Sequence, residues 1–157
     1  MIKIISGKFK KRKLKYFNLS NVRPTQARVR KSIMDSLEPF ESCEVLDLFS
    51  GIGTLGIEAL SRGAQSVEFI DNDSRVLKIL KKNIDLLSVD NCCKIIKSDV
   101  LKYLSFIDKK FDIIFADPPY GDFNFFDMRD SAAKILYPNG IFCMEMRKTS
   151  LIENQDN

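Results

Sequence analysis

This chain has no histidine among its 157 residues. Chemistry that needs an imidazole is excluded, and zinc sites are disfavoured. Its four cysteines, Cys43, Cys92, Cys93 and Cys143, include no C-x-x-C pair. Cys92 and Cys93 are adjacent, a poor arrangement for an ordinary disulfide, so reduced and partly buried thiols are expected. No apolar run approaches the roughly 20 residues of a membrane span. The N-terminus, MIKIISGKFKKRKLKY, has no long apolar segment behind its charges and does not read as a secretory signal. A cytoplasmic protein that needs neither membrane nor metal is expected.

Acidic residues are also missing where they would matter. Residues 1–34 hold 11 Lys and Arg and no Asp or Glu, whereas the other 123 carry 14 basic and 21 acidic groups, a net of −7. A basic extension on an acidic body suits a polyanion, nucleic acid before an anionic membrane. Residues 2–6 and 12–17 read as a small β-hairpin, with Lys8, Lys10, Lys11, Arg12 and Lys13 clustered around its turn. Val29, Ile33 and Leu37 form an apolar stripe on a helix over 26–38, which leaves Arg28, Arg30 and Lys31 off the stripe for an anion.

From residue 44 strands and helices alternate. Strands are expected at 44–49, 66–71, 93–97, 111–117 and 140–146, and helices at 54–62, 74–87, 100–106 and 125–136. The strands are almost continuously apolar, as burial on both faces requires. The pattern predicts an α/β, Rossmann-like, doubly wound and mostly parallel sheet with right-handed crossovers. Its ligand would lie at the carboxyl ends of the strands.

Four features fall at those ends. The first is LDLFSGIGTLGIEAL at 46–60, in which Gly51, Gly53 and Gly56 spell the dinucleotide fingerprint G-x-G-x-x-G. The others are Asp71, Asp99 and the D-P-P-Y of residues 117–120. Glycines and an acid 20 residues after Gly51 suit a nicotinamide cofactor and S-adenosylmethionine equally. Asp47 separates the two. A pyrophosphate on the next helix N-terminus would face this carboxylate at short range, and like charges repel. S-adenosylmethionine has an ammonium and a cationic sulfur there instead.

Asp117-Pro118-Pro119-Tyr120 ends a buried strand. In methylation of an exocyclic base amine, the nitrogen lone pair is conjugated into the ring and nucleophilicity is low. Acceptors at the Asp117 carboxylate and the Pro118 carbonyl would draw that nitrogen toward tetrahedral geometry. Tyr120 would stack on the base. The amine becomes cationic in the transition state, so Asp117 stabilises it and no histidine base is required. Phe123, Phe125 and Phe126 would pack in the core or close over the site.

With these motifs in hand, the sequence resembles the bacterial 16S ribosomal-RNA guanine-N2 methyltransferases of the small-subunit methyltransferase D type. MIKIISGKFKKRKL, VRPTQARVRKSIMDSL, VLDLFSGIGTLGIEALSRGA and FDIIFADPPY carry the likeness, in family order. The resemblance implies an S-adenosylmethionine-dependent methyltransferase acting on the N2 amine of one guanine of 16S rRNA, typically guanine 966, during small-subunit assembly. It implies that Asp47, Gly51 and Gly53 hold the methionine end, that Asp71 takes the ribose and Asp99 the adenine side, and that Phe49, Asn72 and Val100 also bind the cofactor. Asp117, Pro118 and Tyr120 would form the catalytic base site. Lys8, Lys10, Lys11, Arg12, Lys13, Arg23 and Arg28 would meet the RNA, with Thr25 nearby. The partner would be 16S rRNA or a small-subunit particle, and the protein a monomer. The expected division is a basic hairpin at 1–22 and a methyltransferase domain at 23–157.

Two departures stand out. Asp71 occupies a position where the family often has Glu, and SLIENQDN is too short for the antiparallel hairpin that usually closes the sheet. That hairpin is therefore expected to be missing, or the chain to be incomplete. D-P-P-Y alone also leaves open adenine-N6 methylation of DNA or RNA, or an inactive RNA-binding remnant of the fold.

Overall fold

A computed structural model of the chain describes residues 1–16, 26–119 and 123–146. Two short strands, β1 (Ile2–Lys3) and β2 (Lys13–Leu14), pair antiparallel. After α1 (Ala27–Leu37), the chain alternates through β3 (Glu44–Leu48), α2 (Thr54–Ser61), β4 (Ser66–Asp71), α3 (Ser74–Leu87), β5 (Cys93–Lys97), α4 (Val100–Phe106), β6 (Phe111–Ala116), α5 (Phe125–Ala133) and β7 (Leu136–Met144). The five long strands form one parallel sheet in the order β5-β4-β3-β6-β7. The connections from β3 run outward through β4 to β5, and then return to β6 on the other side of β3. The order therefore reverses beside β3, which opens a crevice at its carboxyl end.

Period-two alternation divides the core. Val45, Val67, Phe69, Ile113 and Phe115 point to the face covered by α2 and α3, while Leu46, Leu48, Ile70 and Ile114 meet α4 and α5 on the other. The hairpin joins the first face through Ile2, Ile4 and Leu14. Asp73, Asp99 and Asn124 cap α3, α4 and α5 by accepting backbone amides of the first turns.

Two expectations need correction. Ile33 and Leu37 of the expected stripe pack against the core, but the fully buried positions of α1 are Arg30 and Met34, and Val29 is 42% exposed. Arg30 is therefore not available to an outside anion. A buried carboxylate, Glu58 of α2, explains the rotation, since a guanidinium can enter a core only with such a partner. The last helix and strand also meet earlier than expected, with α5 ending at Ala133 and β7 starting at Leu136. Phe111 pairs with Leu136 but Ile113 pairs with Ile141, so residues 137–140 bulge from the ladder. Pro138, which has no amide hydrogen, sits in that bulge on an edge strand, where it is tolerated. The expected absence of a closing hairpin concerns residues 147–157, which lie outside the described residues.

Candidate active site

The loop from β3 to α2 is built from left-handed backbone. Phe49, Gly51 and Gly53 have φ of 56°, 56° and 91°. For Phe49 that conformation costs about 1–3 kcal/mol, a kind of strain that gathers at functional sites. Its ring is braced edge-on by Phe123, with centroids 4.8 Å apart.

The three glycines of the motif serve different purposes. A Cβ on Gly56 would lie 2.4 Å from Cε1 of the buried Phe69, so this glycine lets α2 approach the sheet. A Cβ on Gly53 would lie 2.3 Å from Cδ1 of Leu80 on α3. A Cβ on Gly51 would meet nothing within 4 Å. Gly51 alone combines a left-handed turn with open space beside it.

Asp47 faces α2 and is 1% exposed. Its Oδ2 accepts the amide of Gly56 at 3.0 Å, so a carboxylate from the strand closes the first turn of the helix. Burial pushes the Asp47 carboxyl well above the usual carboxylate range, the Gly56 amide opposes this, and the nearby Asp117 and Asp71 raise it further. Acids from two neighbouring strand ends, Asp71 and Asp117, thus lie close enough to act on Asp47.

Asp71 ends β4. Its Oδ2 accepts the amide of Gly51 and its Oδ1 that of Asp73, both at 2.9 Å. Each oxygen retains a lone pair, because an ionised carboxylate offers about four acceptor positions. Asn72 is exposed beside it. Asp99 is exposed and accepts the Lys102 amide at 2.9 Å, while Val100 behind it is 3% exposed. Asp117 and Pro118 are half-buried where β6 ends next to β3, and the Asp117 amide is 3.4 Å from the Leu48 carbonyl. The crevice thus gathers Asp47, Phe49, Gly51, Gly53, Asp71, Asn72, Asp117 and Pro118 on the strand ends and the loops that follow them. Tyr120, Arg23 and Thr25 lie outside the described residues. Phe125 stacks on Phe142 and Phe126 lies under the guanidinium of Arg129, so of the three phenylalanines only Phe123 touches the glycine loop.

Lys8, Lys10, Lys11, Arg12, Lys13 and Arg28 are all exposed. Lys8 and Arg12 flank the ring of Phe9, at 5.0 and 5.9 Å from its centroid. The hairpin that carries the first five is anchored firmly. Glu58 accepts the amides of Ile5 and Ser6, each at 3.0 Å, and also pairs with Arg62 at 3.2 Å. Ser61 accepts the Phe9 amide through Oγ and the Lys8 amide through its carbonyl. Gly7 (φ 81°) permits this contact, because a Cβ there would come within 1.9 Å of the Ser61 carbonyl oxygen. Asn83 of α3 has no exposed surface. It accepts the Lys15 amide at 2.7 Å and donates to the carbonyls of Lys15 and Ile52 at 3.1 and 3.3 Å. Neither Glu58 nor Asn83 stands out in the sequence, where both are single polar letters in helical stretches. The only available signal was a polar residue on an otherwise apolar helix face.

The four thiols are free and half-buried. Burial pushes Cys93 up to about 12 and also raises Cys43 and Cys143, which leaves these three protonated and unreactive near neutral pH. Among the described residues no helix is long and apolar enough to cross a membrane, and no cluster of three potential metal ligands occurs.

The family described as Conserved hypothetical protein 95 matches residues 2–157. Ribosomal RNA small subunit methyltransferase D of Haemophilus influenzae is 32% identical over 166 aligned positions, covering 99% of this chain and 84% of that protein. The protein of the same name from Buchnera aphidicola (Acyrthosiphon pisum host) is 40% identical over 121 residues, 76% of this chain. The chain spans only 63% of the length of that relative. A solved structure of a candidate methyltransferase from Escherichia coli matches with a TM-score of 0.81 at 29% identity, over 92% of this chain and 80% of that one.

Proposed function

The chain belongs to the Conserved hypothetical protein 95 family, that of the small-subunit methyltransferase D proteins, and on that premise we propose that it moves a methyl group from S-adenosylmethionine to the exocyclic N2 amine of a guanine in small-subunit ribosomal RNA. The observation that carries this reading is the convergence of Asp47, Asp71 and Asp117 around a glycine loop with one open face.

The donor set fits that cofactor better than a dinucleotide. The Gly56 amide, one of the first-turn amides open to a phosphate in such a site, is already taken by a carboxyl group. Gly51 would let the methionine end approach the backbone. Asp47, buried beneath the loop, would act on its ammonium as a nearby negative field. Asp71 and Asn72 would accept the ribose hydroxyls through the free lone pairs, and Asp99 and Val100 would flank the adenine. S-adenosylmethionine, when bound, supplies a methyl group on a cationic sulfur.

The protein's own part is to hold and polarise the amine. Asp117 and the Pro118 carbonyl accept its two N–H bonds and turn the lone pair out of the ring plane. Pro118 and Pro119 stiffen that turn, so the acceptors need little reorganisation. As the nitrogen gains a bond it becomes cationic, and Asp117 stabilises the charge. One N–H proton then leaves the cationic nitrogen, toward Asp117 or water. The exposed lysines and arginines of the hairpin, with Arg23 and Arg28, hold the RNA backbone.

Incubation with radiolabelled S-adenosylmethionine and hypomethylated small-subunit particles, followed by identification of the labelled nucleoside, tests the reading. N2-methylguanosine is expected. Labelled N6-methyladenine would replace guanine with adenine as the target, and binding without transfer would leave an inactive RNA-binding module.

A further inference from the structure

We propose that the flank of α3 beside the hairpin is an RNA-backbone track, in which Lys78 and Lys82 carry the basic patch of the hairpin up to the crevice. The inference rests on the ribosomal-RNA reading above.

The hairpin and α3 are fastened side by side. Arg12 donates through Nη2 to the Leu86 carbonyl at 2.8 Å, and three residues later Lys15 is held through its backbone by Asn83. The segment from 12 to 15 therefore climbs α3 from its last turn toward its first. That first turn opens immediately after Asp71, at the rim of the crevice.

Helical geometry assigns the flanks of α3. At about 100° per residue, Lys82 lies about 40° around the axis from Leu86, whose carbonyl holds Arg12, and Lys78 lies a further 40° on, so positions 86, 75, 82 and 78 run from the hairpin onto the outward ridge of the helix. Along that run Arg75 is held by Asp73 at 2.8 Å. Lys78 and Lys82 are exposed and have no acidic partner among the described residues. Farther round the same exposed face, Lys81 is paired with Asp85. The uncompensated charge of the helix thus lies on the ridge that leads from the hairpin contact at Leu86 toward the first turn.

Lys78 and Lys82 stand one turn apart, about 6 Å along the helix axis. That separation suits successive phosphates of one strand. With the exposed Lys15, Arg12 and Lys8 below them, they form a cationic line that ends beside Asp71 and the glycine loop. An RNA strand held on this line would be led to the site where its base is presented. Backbone contacts of this kind position a nucleic acid without reading its sequence.

The test measures binding of an in vitro transcript of small-subunit ribosomal RNA across a range of salt concentrations. Wild type is compared with Lys78→Ala/Lys82→Ala, Lys78→Arg/Lys82→Arg and Lys81→Ala, with melting curves to verify folding. At roughly 0.7–0.9 per phosphate contact, the alanine pair should make the log–log salt slope shallower by about 1.5. The arginine pair and Lys81→Ala should keep the wild-type slope. An unchanged slope in the alanine pair overturns the track. Methyl transfer from radiolabelled S-adenosylmethionine is followed in the same samples. Transfer by wild type alongside an unchanged slope removes the track and spares the methyltransferase reading. Neither transfer nor transcript binding by wild type removes both. Wild-type binding to phosphatidylserine vesicles but not to the transcript also overturns the track, in favour of a membrane surface.

Discussion

Asp47 holds the amide of Gly56 at 3.0 Å, so the first turn of α2 is closed from below by a buried carboxylate. This one bond changes the meaning of the glycine pattern above it. In a dinucleotide site that turn is an empty cradle for phosphate. Here one of its amides is already taken by a carboxyl group, and what lies over the loop favours the ionised form of that group when it is positive.

The glycines can be separated by experiment. Gly56→Ala forces a methyl against Phe69 and Val67 and should cost about 1–3 kcal/mol of stability by overpacking. Gly51→Ala has open space around it and pays only for its left-handed φ, about 1–2 kcal/mol. Its larger effect should be a drop in S-adenosylmethionine affinity. Thermal melting and calorimetric titration of both variants measure the contrast. Equal losses of affinity and stability in the two would remove the special role of Gly51.

Asp117→Ala should lower methyl transfer by at least 100-fold, on the scale expected for loss of a transition-state stabiliser. Cofactor affinity should stay within about twofold of wild type, since the group acts on the amine; ~0.4 kcal/mol is all that factor represents. Single-turnover transfer and equilibrium binding, measured on the same protein, make the comparison. A variant that keeps its rate would refute the role given to this carboxylate.

Asp47 should make the free protein sensitive to pH in an unusual direction. Its carboxyl is raised in the folded state, so the folded protein binds more protons than the unfolded chain in the interval between the two values. Stability therefore falls as pH rises from the ordinary carboxylate value of about 3.9 through the raised one. A bound cation favours the ionised form, so cofactor affinity should rise over the same interval. Asp47→Asn keeps an acceptor for Gly56 and should flatten both trends. Melting and binding at a series of pH values decide it, and unchanged trends in the variant would assign them to other groups.

Glu58→Ala should loosen the hairpin. It strips the Ile5 and Ser6 amides of their acceptor and leaves Arg30 and Arg62 without their shared buried carboxylate. A loss of about 3–5 kcal/mol is expected for breaking a buried ion pair from one side. Hydrogen exchange at the Ile5 and Ser6 amides should accelerate well beyond that of the sheet. Protection equal to that of β3 would mean that the apolar contacts of Ile2, Ile4 and Leu14 alone hold the hairpin.

Much of this was legible from local pattern. The run from Glu44 to Ala116 showed its strands and helices because each buried strand is apolar and each helix keeps a regular apolar stripe. Asp47, Asp71 and Asp117 were readable because each is an acid that ends a strand. What stayed hidden depends on pairs far apart in the chain. Arg30 looked like a surface cation, and its burial becomes tolerable through partners far along the chain, the Glu58 carboxylate 28 residues later and the Lys3 carbonyl, to which it donates at 2.7 Å. Asn83 is an ordinary helical amide until Lys15, 68 residues earlier, lies against it. The start of β7 was missed because the bulge between the Phe111 and Ile113 pairs belongs to the ladder and leaves no periodic trace in either strand.

The eight-residue α2 has a further consequence. Its first turn is pinned to Asp47 and carries the glycine loop, while Glu58 and Ser61 near its last turn carry the hairpin. A helix of that length is about 12 Å long and hard to stretch. It works as a ruler. A change in its length by even one residue would move the basic hairpin and the glycine loop out of phase, by about 100° and 1.5 Å. The separation between the basic arm and the acid-lined loop is thereby written into a single short stretch of chain.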